Sequence, residues 1–71
     1  DYAAAAKEYM MVAILYEDKD ICSRALSSAA GAFEKAGSAD KAVEALKELV
    51  ARYPDSEFAK KASEDIGRLT K

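Results

Sequence analysis

Ala42, Val43, Leu46, Leu49, Val50 and Tyr53 recur at spacings of three and four, which draws one apolar stripe along an α-helix. Lys41, Glu44, Lys47, Glu48 and Arg52 take the opposite side. There Glu44 and Glu48 stand within helical reach of the three bases, the pattern of a solvated face. The run Tyr9-Met10-Met11-Val12-Ala13-Ile14-Leu15-Tyr16 is different, because it is apolar in every direction around the helix. A helix of that kind is normally covered on more than one side, so Tyr9, Met10, Met11 and Ile14 are expected at an interface. Plain core filling is the competing expectation for the two methionines.

The rest of the pattern predicts four helices. The first covers Tyr2 to Glu17 and breaks at Asp18-Lys19-Asp20, whose acids suit the start of the next. The second covers Ile21 to Ala36 and stops at Gly37, a residue able to take the left-handed closing conformation. Ser38 is the expected N-cap of the third, Ala39 to Tyr53, and Pro54 ends it because proline cannot continue the hydrogen-bond ladder. Asp55 or Ser56 caps the fourth, which continues to Leu69. Such short connections force neighbouring helices antiparallel.

Shifted by 37 residues, the chain falls onto itself: Ala5 on Ala42, Tyr16 on Tyr53, Asp18 on Asp55 and Ala25 on Ala62. Tyr9 matches Leu46, Val12 matches Leu49 and Ile21 matches Phe58 in kind. A period of this length implies stacked helix-turn-helix units, none of which buries its apolar face alone. The fold class expected is therefore all-α, antiparallel helix-turn-helix repeats forming one small domain over residues 1–71. The chain opens directly inside a helical pattern, as expected of a segment of something longer.

Composition restricts the function. The chain is 51% hydrophobic, and 16 of its residues are alanine, so helices approach closely and each buries little area. Net charge is −2 with both signs interspersed, and no basic stripe is present to neutralise phosphates or anionic lipid. Nucleic acid is thus not an expected partner. The longest apolar run is too short for a bilayer, so no direct membrane insertion is expected. Cys22 is the single cysteine and matches Ala59 in the repeat, which favours a small buried side chain over a reactive or lipidated thiol.

Catalysis is not expected, nor is a cofactor or metal. The chain has no histidine, the commonest general base and metal ligand near neutral pH. Glu64 and Asp65 are adjacent acids that point in different directions on a helix, a poor start for a metal site. Gly31, Gly37 and Gly67 stand apart, so no phosphate-cradling loop is present.

Leu26, Ala29 with Ala30, Phe33, Ala42, Leu46, Leu49 and Pro54 occupy the steps of a tetratricopeptide repeat (TPR), and Ser23 to Ser56 resembles one unit of 34 residues. The match departs at Leu26, where the consensus has tryptophan, at Ala29-Ala30, where it has leucine-glycine, and at the bulky Leu49. Because 37 exceeds that unit by three, the first inter-repeat turn is expected to be the longer one. Leu46-Lys47-Glu48-Leu49, then Tyr53-Pro54-Asp55-Ser56, Ala59 and Ala62, resemble the signature of bacterial envelope repeat proteins such as the TolA-binding factor and the outer-membrane-assembly lipoprotein. That likeness implies a periplasmic or cell-envelope location, which the residues by themselves leave open.

The resemblance also implies a role: a non-catalytic scaffold whose concave groove takes a protein or peptide. Arg24, Ser27, Ser28, Gly31, Glu34 and Lys35 would line it from the second helix, and Lys61, Glu64, Asp65 and Arg68 from the fourth. The lysine–asparagine clamp of chaperone-tail receptors in that family is ruled out, since the chain has no asparagine. The alternative role is structural self-assembly, a homo-oligomer packed through the first and fourth helices.

Overall fold

The computed structural model describes residues 1–70. Among them lie four helices and no strand: α1 (Tyr2–Leu15), α2 (Lys19–Lys35), α3 (Ala39–Arg52) and α4 (Glu57–Leu69). The fold is all-α, as the periodicity requires. The 37-residue shift carries the bounds of α1 onto those of α3. The connections hold residues 16–18, 36–38 and 53–56, so the turn expected to be long is no longer than the others. The additional residues are in α2 itself, the longest helix at 17 residues.

Each boundary has a local cause. Asp18 opens α2 by accepting hydrogen bonds from the backbone N–H of Asp20 at 2.8 Å and of Ile21 at 3.1 Å. Lys19 and Asp20 therefore belong to the first turn of α2 and not to a break before it. Tyr16, with extended backbone, closes α1 two residues before the expected end. Gly37 has φ +82°, the left-handed conformation that an L side chain resists. Around it the N–H of Ser38 donates to the carbonyl of Phe33 at 2.8 Å and that of Gly37 to Glu34 at 3.0 Å, a Schellman closure. Ser56, not Asp55, caps α4, its hydroxyl accepting from Phe58 N–H at 3.1 Å.

Ser38 departs from expectation. It precedes α3 but makes no side-chain cap bond, because its φ −106° and ψ 65° lie outside the extended region an N-cap uses. Asp18→Ala is therefore expected to lower stability by about 1 kcal/mol, and Ser38→Ala by only a few tenths. Urea unfolding of the two variants side by side checks this, and equal losses would contradict the cap assignment.

Packing places α2 at the centre, against α1, α3 and α4. The Lys35 ammonium, at the end of α2, stands 5.4 Å from the ring centre of Tyr2 at the start of α1. Lys41 at the start of α3 stands 6.0 Å from that of Phe33 near the end of α2. Start meets end in both pairs, as antiparallel neighbours require. The core is built from Ala6, Ala13, Ala25, Ala29, Ala30, Ala42, Ala45 and Ala62 around Leu26, Phe33, Leu46 and Leu49. Cys22 is fully buried, and its thiol donates to the carbonyls of Tyr16 at 2.9 Å and Ala13 at 3.4 Å. Those carbonyls belong to the closing turn of α1, so this cysteine ties the first two helices together.

Candidate functional site

The apolar residues of α1 do not share one environment. Ala6 and Ala13 are buried, and Met10 is half-buried against the core beside Lys7, Phe33 and Lys41. Met10 thus packs partly against the core while still lining an open hollow with those three residues. Met11, Ile14 and Leu15 point outward and are 59%, 74% and 70% exposed. The repeat-equivalent positions on α3 are Glu48, Ala51 and Arg52, so α1 presents large apolar side chains where α3 presents small or charged ones.

Tyr9 faces another way, into a groove between α1 and α2. One end of that groove is a cavity of about 320 Å³ lined by Tyr2, Ala5, Tyr9, Ser28, Gly31, Ala32 and Lys35. The other, of about 220 Å³, is lined by Tyr9, Val12, Ile21, Arg24, Ala25 and Ser28. Tyr9 and Ser28 belong to both and join them into one trough. Its only charged lining residues are Arg24 and Lys35, both basic and exposed. At Gly31 nothing stands within 4 Å of where a Cβ would lie, so the helix backbone is open to an approaching group.

The ten residues expected along a shared concave face therefore divide. Arg24, Ser28, Gly31 and Lys35 line the α1–α2 trough. Glu34, Asp65 and Arg68 form an ion cluster where α2 meets α4. The Arg68 guanidinium donates to both Glu34 carboxylate oxygens at 2.7 and 3.2 Å and lies 3.5 Å from Asp65. The hydrogen bond from Arg68 holds the Glu34 carboxyl below its ordinary value of 4.5, against a smaller desolvation effect. This pair is exposed and adds little stability, but it aligns two helices and occupies charges expected to meet a ligand. Ser27 is half-buried, Lys61 and Glu64 are exposed, and these three belong neither to the trough nor to the cluster.

Tyr2, Ala5, Val12, Ile21, Ala25 and Ala32 also line the trough, outside the groove residues that the resemblance implied. The repeat itself carried the signal. Ala5, Val12 and Ile21 align with Ala42, Leu49 and Phe58, which are buried or half-buried in the second unit. Among the described residues no group of three or more histidine, cysteine, aspartate or glutamate side chains is placed to hold a metal. None of the helices described is long and apolar enough to cross a membrane.

Compared with protein-family models, curated proteins and solved structures, the chain matches none.

Proposed function

We propose that this chain is a non-catalytic protein-interaction module, a TPR-like helical scaffold that holds a protein or peptide partner along α1 and the α1–α2 trough. One observation carries the reading. Among the described residues the seven large apolar side chains left exposed, Tyr2, Tyr9, Met11, Ile14, Leu15, Tyr16 and Ile21, all fall in the first helix, the turn after it and the start of the second. Covering a leucine- or isoleucine-sized side chain is worth about 1.5–3 kcal/mol, so such an edge favours association. The Tyr53-Pro54-Asp55-Ser56 turn supports a bacterial envelope setting.

Self-assembly through α1 and α4 is the competing reading, and α4 weakens it. Phe58, Ala59, Ala62, Ile66 and Leu69 of α4 are buried or half-buried, and its exposed residues are Glu57, Lys60, Lys61, Ser63, Glu64, Gly67 and Arg68. A photo-crosslinking residue placed at Ile14, with a control at Lys60, tests the proposal in the source cells. Adducts with another protein at Ile14 and none at Lys60 are expected. Adducts with the chain's own mass transfer the role to self-assembly, and no adduct above the control ends the proposal.

A further inference from the structure

We infer that the outward ridge of α1, formed by Met11, Ile14 and Leu15, docks an amphipathic α-helix of a partner protein whose apolar face is flanked by lysine or arginine. The inference rests on the interaction-module reading and names the partner's chemistry. The internal repeat separates this ridge from the trough. A shift of 37 residues carries Met11, Ile14 and Leu15 onto Glu48, Ala51 and Arg52 of α3. Those three stay exposed although α2 is packed against α3. By contrast the trough residues Ala5, Tyr9 and Val12 align with Ala42, Leu46 and Leu49, which are buried. A helix lying in the trough of the first unit, as α2 lies in the second, therefore covers Tyr9 and Val12 and leaves the ridge bare. Stacking of units does not account for large apolar side chains at these three positions, and a contact with another surface does.

Charge selects among occupants. Residues 1–20 hold five acids against Lys7 and Lys19, net −3, and the remainder holds eight acids against nine bases, net +1. Glu8 stands about one turn before Met11, and Glu17 and Asp18 follow Leu15 in the turn, all three exposed. Of the two bases, Lys7 lines the hollow beside Met10 and Lys19 belongs to the first turn of α2. The ridge thus lies between acids at both ends. A second copy applied ridge to ridge sets −3 against −3, and like charges brought together oppose such an interface. A helix with basic flanks meets opposite charge at both ends of the same apolar contact. Side chains three and four residues apart make a ridge that fits the groove of a facing helix, which favours that form for the occupant.

The probe is a helical peptide of about the length of α1, with leucine along one face and lysine at every other position, titrated into the full chain by calorimetry and amide chemical-shift mapping. Saturable binding is expected, with shifts centred on Met11, Ile14 and Leu15. A version of the peptide with glutamate in place of lysine is expected to bind about tenfold more weakly or worse. The protein variant Glu8→Lys/Glu17→Lys should reverse that preference, with Asp18 left in place because it caps α2. Ile14→Ala/Leu15→Ala should weaken binding of the lysine peptide by about tenfold. Its melting temperature should stay within a few degrees of the parent, since both side chains are mostly exposed. In the source cells, the partner segment crosslinked to Ile14 should carry lysine or arginine beside its apolar residues.

Equal affinity for the two peptides, shifts centred away from α1, or indifference to Ile14→Ala/Leu15→Ala overturns the inference. So does an acidic segment recovered at Ile14. An internal crosslink from Ile14, with no second chain attached, overturns it by assigning the ridge to another segment of the same polypeptide. Association of the chain with itself that stops in Arg24→Glu/Lys35→Glu assigns the ridge to the trough of a second copy, where those two bases would meet the acids of α1. Association that persists in that variant and stops in Ile14→Ala/Leu15→Ala assigns it to the ridge of a second copy; either result overturns the inference. Heterologous crosslinks at Ile14 without preference for the lysine peptide defeat the inference alone; absence of both defeats the interaction module as well.

Discussion

Leu26→Ala is expected to lower the unfolding free energy by about 3 kcal/mol, within the range for truncating a fully buried leucine. Leu26 has no exposed surface and sits midway along α2, the helix that touches all three others. Only four side chains larger than alanine or cysteine, Leu26, Phe33, Leu46 and Leu49, are among the buried apolar residues. Each therefore supplies a large share of the burial. A domain of this size has total stability on the order of 5 kcal/mol, so the loss consumes most of it. The melting temperature should fall by roughly 15 °C or more, at about 4–8 °C for each kcal/mol. Leu15→Ala is the control, because that leucine is 70% exposed and should stay within about 0.5 kcal/mol of the parent. Thermal melts followed by circular dichroism decide the matter; similar shifts in the two variants would mean that the core is not where Leu26 lies.

What the amino-acid pattern reveals depends on how one-sided each helix is. The stripe of α3 separates Leu46 and Leu49 from Lys47 and Glu48, and the structure buries the first two and exposes the second two. Gly37 and Pro54 end their helices through backbone geometry alone, so neighbouring residues suffice to read them. In α1 no polar side marks the outward direction, and Met10 and Met11 look alike until packing separates them. The Glu34–Arg68 pair joins residues 34 apart, and no local rule finds it. Charged residues were expected to share one face because a family resemblance placed them there. They divide because α4 packs close enough for Arg68 to be satisfied within the chain. The trough was legible in another way. Aligning the two units shows which residues of the first have buried counterparts in the second, although the charged residues near it draw more notice.

Ala29→Leu should destabilise the fold by about 2–3 kcal/mol, although it adds apolar surface and keeps helix propensity high. Ala29 has no exposed surface and lies in a core made mainly of alanine. Small side chains let the helix backbones come close, and nothing between them yields easily, so three more carbon atoms push a helix outward or force a strained rotamer. Ala51→Leu on the exposed side of α3 separates this effect from simple hydrophobicity, and it should change stability by less than about 0.5 kcal/mol. Denaturant unfolding of both variants gives the comparison. A stabilised Ala29→Leu would mean that space remains at the α2 seam and that its alanines are placeholders. A destabilised one means that close approach of the helices, more than the size of any side chain, holds α2 in place.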